Sequence, residues 1–134
     1  MQPTKTLRVL LVLSSLMAVV IGASILVSPD AFHASYGTEL GTDANLLSEI
    51  RAPGGALLVL GLLMGVGAFV PRMTYASTVI AAAVYLAYGV SRIVSIVLDG
   101  MPVDALLGAT AIEFVVGIAA LIALTRMPRV GSEA

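Results

Sequence analysis

Cysteine and tryptophan are absent from this sequence of 134 residues, and histidine occurs once. Without cysteine there can be no disulfide, no thiol nucleophile and no thiolate ligand for a metal. A single histidine also leaves zinc, haem and iron–sulfur sites short of ligands. The sequence therefore predicts no metal centre and no cofactor.

Charged residues are also scarce. They make up 11% of the chain, whereas soluble domains carry about a quarter. With a formal net charge of -1 and no stripe of Lys and Arg, the chain gives no electrostatic reason to expect nucleic acid as a partner. Hydrophobic residues account for 59%, and the mean hydropathy is +1.05. This composition is that of an integral membrane protein, short enough to form one domain over residues 1–134.

Four apolar segments are long enough to cross a bilayer, which takes about 20 residues each. They cover approximately residues 8–27, 45–70, 73–98 and 103–125. The predicted fold class is all-α, a four-span transmembrane helix bundle. Between spans one and two, Ser28-Pro29-Asp30 is typical of a helix start, and the short segment that follows predicts a helix at the membrane interface.

The first apolar segment has a second interpretation. Basic residues precede it, and small residues interrupt it at Gly22-Ala23-Ser24, as in a secretory signal. The apolar run continues through Ile25-Leu26-Val27 to the length of a span, so we expect it to be retained as a membrane helix.

Basic and acidic residues are divided between the connections. The two connections after spans one and three contain acids but neither Lys nor Arg. The basic residues flank the opposite side at Lys5, Arg8, Arg72, Arg126 and Arg129. By the positive-inside rule, both termini of this multi-pass protein are cytoplasmic and the acidic connections are external.

Four charged residues at or inside the spans mark a candidate site, because ionisable groups at membrane depth are costly unless paired or hydrated. Glu49 and Arg51 lie near the start of the second span, Arg92 lies in the third and Glu113 in the fourth. Counted from the outer helix ends, Glu49 lies roughly 6 to 10 Å deep, Arg92 about 10 Å and Glu113 about 14 to 15 Å. The long side chains can therefore meet at one level.

We expect Arg92 to bridge Glu113 and Glu49, because a planar guanidinium can serve two carboxylates at once. Tyr85 and Tyr88 share a helix face with Arg92. The predicted ligand-binding site or buried polar network comprises Asn45, Ser48, Glu49, Arg51, Tyr85, Tyr88, Arg92 and Glu113. The alternative is that the same ion pairs only hold the helices together.

Glycines in the second span predict close packing of a neighbouring helix. The positions are Gly54, Gly55, Gly61 and Gly65. Pro53 precedes them and removes a backbone donor, so we expect a bend between Glu49 and Pro53.

Several short motifs together resemble a known family. They are Ser48-Glu49-Ile50-Arg51-Ala52 with Gly54-Gly55, Gly89-Val90-Ser91-Arg92 with Ser95, Asp99-Gly100-Met101-Pro102, and Glu113. The set is similar to that of small bacterial four-helix integral membrane proteins classed as a domain of unknown function, DoxX-like in general plan. The resemblance covers the chain from about residue 36 to the end of span four. It implies a four-span bundle in the bacterial inner membrane and supplies no activity.

Three functions remain open. The first is a binding protein whose outward-facing polar cluster holds a lipid-like or quinone-like amphipathic ligand or docks a partner membrane subunit. The second is a small proton-coupled carrier or exporter, disfavoured because Arg92 would hold the membrane carboxylate ionised. The third is an enzyme acting on a lipid, disfavoured because the sequence lacks a nucleophile–base pair and a phosphate-binding loop. Membrane lipid is an expected partner, and a homo-oligomer is left open.

Overall fold

Four long α-helices and one short one form the chain in a computed structural model, which describes residues 2–128. The elements are α1 (Lys5–Val27), α2 (Pro29–Ala34), α3 (Ala44–Phe69), α4 (Thr74–Asp99) and α5 (Asp104–Thr125), with one 3-10 turn (Pro71–Met73) before α4. Residues 2–128 contain no strand. The four long helices are each long and apolar enough to cross a membrane. The predicted all-α chain with four membrane-compatible helices is therefore confirmed, while Arg129 lies outside the described residues.

Polar caps and turn residues set the helix ends. The Thr4 hydroxyl accepts a hydrogen bond from the backbone N–H of Leu7 (3.2 Å), and the Asp43 carboxylate accepts one from that of Leu46 (2.8 Å). Such side chains satisfy the free N–H groups of a first helical turn. Gly100 has a φ of 99°, a conformation that favours glycine, and it reverses the chain after α4. Pro53 lies inside α3, and the helix continues through it to Phe69.

Small residues bring α1 and α3 into close antiparallel contact. A Cβ added at Gly22 would lie 2.7 Å from the Gly54 carbonyl oxygen, and one at Gly61 would lie 2.9 Å from the Ala18 Cβ. A Cβ at Gly65 would lie 2.7 Å from the Ser15 hydroxyl. Three of the four glycines singled out in the sequence, Gly54, Gly61 and Gly65, thus line this seam. At the fourth, Gly55, an added Cβ would only touch Leu26 at an ordinary 3.7 Å.

Each helix of this pair is also capped by an arginine of the other. Arg8, at the start of α1, donates from Nε to the Ala68 carbonyl at the end of α3 (3.0 Å). Arg51, near the start of α3, donates from Nη1 to the carbonyls of Leu26 and Val27 at the end of α1. The last carbonyls of a helix have no partner within it, and a cation there also interacts favourably with the helix dipole. The two arginines therefore stabilise opposite ends of one helix pair.

The remaining helices complete the bundle. α4 packs against α5 and α3, and α1 makes lighter contacts with α4 and α5. The core between them is small and largely aliphatic: Leu11, Ala18, Leu57, Met64, Ala68, Ala81, Ala82, Tyr85, Val116 and Ala120 are buried. Many large apolar side chains, such as Val97 at 76% exposure, lie on the outside instead. An apolar exterior of this kind suits contact with lipid.

We predict that Gly61→Ala lowers the thermal unfolding midpoint, because the added methyl would lie 2.9 Å from the Ala18 Cβ and the Val19 nitrogen. Overpacking of this kind costs about 1–3 kcal/mol. Gly108→Ala is the matched control, since it is also helical and nothing lies within 4 Å of its added Cβ. Equal midpoints for the two variants would contradict the close seam.

We predict that Arg51→Gln lowers stability and the hydrogen-exchange protection at the end of α1, because the Leu26 and Val27 carbonyls lose a charged donor. Hydrogen bonds to charged groups contribute about 1.5–3 kcal/mol, and less where water reaches them. Arg72→Gln removes an exposed arginine at the opposite end and serves as the control. A loss of protection confined to α3 would contradict the capping role.

Candidate functional site

Arg92 and Glu113 form an ion pair between α4 and α5. Arg92 Nε lies 3.0 Å from Oε1 and 2.9 Å from Oε2 of Glu113. The Glu113 side chain is 12% exposed, while the Arg92 side chain is 31% exposed. This is the one ion pair found within residues 2–128. Opposite charges in contact are less costly inside an apolar bundle than either charge alone.

A glycine one turn before Arg92 lets the two helices come together. The Phe114 ring occupies the space beside Gly89, with ring carbons 3.0 to 3.2 Å from where a Cβ would lie. On the other helix, Leu86 fills the space beside Gly117 in the same way, 2.7 Å from an added Cβ. These paired contacts bring α5 close to α4, so Glu113, next to Phe114, reaches the guanidinium.

The ion pair engages only part of the guanidinium. All hydrogen bonds from Arg92 within residues 2–128 come from Nε, and none come from the terminal Nη1 or Nη2. Arginine has five N–H donors, so four are left for another acceptor. In the same part of the chain, no buried side-chain polar atom lacks a partner, which means that these terminal nitrogens are accessible.

Two tyrosines add further donors near Arg92. Tyr88 lies one turn before Arg92 on α4, close enough for the charges of Arg92 and Glu113 to act on its phenol. Tyr36 lies just after α2, where burial raises the pKa of its phenol and the nearby Arg92 charge opposes that rise. Neither hydroxyl is hydrogen-bonded to another residue of the range 2–128. Tyr36 was missed in the sequence analysis because nothing in the sequence indicates that its phenol comes near Arg92.

An apolar groove between α3 and α4 begins at Tyr88. Its volume is about 220 Å³, and its lining is Pro53, Ala56, Leu57, Leu60, Val84, Ala87 and Tyr88. Tyr88 forms part of this groove and lies one turn before Arg92 on α4, so the groove and the polar donors are neighbours along this helix. Polar donors beside an apolar groove are typical of sites for amphipathic molecules.

The expected bridge from Arg92 to Glu49 does not form within residues 2–128. Glu49, Asn45 and Ser48 are all exposed at the start of α3. The reason is geometric: Nε of Arg92 is directed at α5, whereas α3 packs against α1 and α4 and makes no contact with α5 in the described chain. Equal depth along the helices is not sufficient for contact.

Two other predicted members of the network have partners elsewhere. Arg51 binds the end of α1 and is not part of the cluster at Arg92. Tyr85 is buried and donates its hydroxyl hydrogen to the Ser14 carbonyl at 2.6 Å, which joins α4 to α1. The Glu113 charge also acts on the Tyr85 phenol, so Tyr85, Tyr88, Arg92 and Glu113 are the predicted residues that the structure brings together.

Comparison with protein families gives one match. The family model of DUF4345, a domain of unknown function, matches residues 6–124. The chain belongs to this family. Searches of curated proteins and of solved structures give no match. The resemblance drawn from the sequence motifs is therefore confirmed, and DUF4345 membership assigns no activity.

A second cleft of this DUF4345 chain lies beside Arg51. It has a volume of about 570 Å³ and is lined by Leu26, Ala44, Leu47, Ser48, Arg51, Ala52 and Gly55. The cleft is shallow and open, and the Arg51 side chain is already bound to carbonyls of α1. Within residues 2–128 no group of three metal-ligating side chains is placed to hold a metal ion. The accessible donors around Arg92 are the stronger candidate site.

We predict that Arg92→Gln strongly destabilises the DUF4345 fold, because it leaves the buried Glu113 carboxylate without its cation. Removing one member of a buried pair costs about 3–5 kcal/mol, an upper bound here since Arg92 is 31% exposed. Adding Glu113→Gln to this variant should recover much of the lost stability. Thermal unfolding of both single variants and the double variant measures the coupling free energy between the two residues. Glu49→Gln, at an exposed position, should change stability by less than about 0.5 kcal/mol. Additive effects of the two substitutions would contradict the ion pair.

Proposed function

We propose that this DUF4345 protein is a multi-pass protein of the bacterial inner membrane that binds an amphipathic, lipid-like or quinone-like ligand at an outward-facing polar site. The observation that carries the proposal is the guanidinium of Arg92. It is held by Glu113 through Nε, its terminal N–H groups make no hydrogen bond within residues 2–128, and Tyr88, one turn before it on α4, lines an apolar groove.

The division of charge between the two ends of the bundle supports the orientation. The starts of α1 and α4 and the ends of α3 and α5 lie at one end, which carries Lys5, Arg8, Arg72 and Arg126. The opposite end carries Asp30, Glu39, Asp43, Glu49, Asp99 and Asp104. By the positive-inside rule, the basic end is cytoplasmic and the site faces the exterior.

The aromatic residues of the α2 region support an interfacial position for that helix. The rings of Phe32, His33 and Tyr36 form one cluster, with centroids 5.4 to 5.8 Å apart. Aromatic side chains are enriched where a membrane meets water. Tyr36 is near enough for the Arg92 charge to act on its phenol, so we expect a ligand head to enter beside it.

The donors determine what kind of head the site accepts. The terminal N–H groups of Arg92 can only donate, and the hydroxyls of Tyr36 and Tyr88 can donate as well as accept, so the site favours a ligand with oxygen acceptors such as a carbonyl or a phosphate. The apolar groove beside Tyr88 then takes part of the tail. A proton-coupled carrier is less well supported, because both oxygens of Glu113 accept from Nε of Arg92, a contact that favours the ionised carboxylate.

Thermal unfolding of delipidated protein over a panel of phospholipids, diacylglycerol and menaquinone tests the proposal. A ligand at 100 times its Kd stabilises the folded state by about 2.7 kcal/mol, so at least one member of the panel should raise the midpoint. The double variant Arg92→Gln/Glu113→Gln, which removes both charges together, should fold and lose this shift. The control Arg72→Gln should keep it. An unchanged wild-type midpoint across the panel, or a shift that survives in the double variant, would contradict ligand binding at this site.

A further inference from the structure

We infer that the head of the bound ligand is zwitterionic, with a phosphate at Arg92 and an ammonium at Asp99, as in an ethanolamine phospholipid. The inference rests on the proposed function and specifies the ligand class of the same site. It follows from the order in which donors and acceptors occur along α4.

Four polar residues of α4 form one stripe that runs to the outer end of the helix. Tyr88, Arg92, Ser95 and Asp99 follow each other at spacings of four, three and four residues, which places them on one face. The Ser95 hydroxyl donates to Oδ2 of Asp99 at 3.1 Å. The deep part of the stripe therefore offers cationic and phenolic donors, and its outer end offers a carboxylate.

The two ends of the stripe suit opposite charges. The free N–H groups of Arg92 match phosphate oxygens, which arginine binds well because of its planar, charged donors. Asp99 is exposed, is in no ion pair within residues 2–128 and can accept hydrogen bonds from an ammonium group. Arg92 and Asp99 are about 10 Å apart along the helix axis. The two side chains reach across part of this separation. A phosphate joined to an ammonium by two carbons can span the rest.

The charge around the stripe disfavours heads of a single charge. At this end of the bundle, carboxylates outnumber guanidinium groups, Glu113 already balances Arg92, and Arg51 is engaged with α1. An anionic head without an ammonium would be repelled by the acidic surroundings, while a neutral quinone head would gain no attraction from the Asp99 carboxylate. A head with both charges adds no net charge to the site and uses both ends of the stripe.

Retention of lipids during native mass spectrometry of the full chain tests the inference. Phosphatidylethanolamine should be retained roughly threefold better than phosphatidylglycerol of the same acyl chains, since threefold corresponds to about 0.65 kcal/mol, within the range of one exposed charge pair. Asp99→Asn should remove this preference without abolishing phospholipid binding. Asp30→Asn, at an exposed acid of the same end that is not on the stripe, is the matched control and should keep the preference.

The arms of the experiment separate this inference from the function on which it rests. If phosphatidylglycerol or menaquinone is retained as well as phosphatidylethanolamine and the double variant Arg92→Gln/Glu113→Gln loses it, the zwitterionic head is wrong and the amphipathic site stands. If nothing in the panel is retained, both fail. Soluble glycerophosphoethanolamine should not displace the lipid, because it lacks the tail that fills the groove. If it displaces the lipid at equal concentration, the ligand is water-soluble and the proposed lipid ligand is wrong.

Discussion

The contact between Arg92 and Glu113 is the interaction on which the packing of α4 against α5 depends. A carboxylate buried between two apolar helices requires a cation beside it. Gly89 allows α5 to approach α4 closely enough for Glu113 to contact Arg92. Because that contact uses Nε, the same arginine keeps terminal donors available at the surface of the bundle. One residue therefore stabilises a buried charge and offers a binding group.

The pair α1 and α3 and the pair α4 and α5 satisfy their polar groups in an apolar environment in different ways. In α1 and α3, close packing at glycines and reciprocal arginine caps satisfy the backbone, and Arg8 and Arg51 are used for that purpose. In α4 and α5, one ion pair takes the place of the caps and leaves polar groups accessible. The first pair is the scaffold, and the second carries the candidate site, with α3 contributing the apolar side of the groove.

The fold class and the Arg92–Glu113 pair could be predicted from the sequence, because span length, hydropathy and the depth of a charge follow from residue counts. Which way a residue faces around its helix does not follow from depth, and the predicted roles of Glu49 and Arg51 in the network failed for that reason. The sequence did contain a signal for the position of Arg51. It lies three residues before Gly54, and Gly61 and Gly65 follow at further spacings of seven and four residues. Arg51 therefore lies on the same helix face as these glycines. That face packs on α1, and the sequence alone could not identify α1 as the neighbour.

Solid-state NMR of the protein in lipid bilayers tests the central claim most directly, by dipolar coupling between labelled arginine nitrogens and glutamate side-chain carboxyl carbons. The geometry predicts strong coupling from Nε of Arg92 to the carboxyl carbon of Glu113, whose oxygens lie 2.9 and 3.0 Å away. It predicts weaker coupling from the terminal nitrogens, which make no hydrogen bond to the acid. Absence of the Nε coupling, or terminal nitrogens of Arg92 coupled to Glu49, would contradict it.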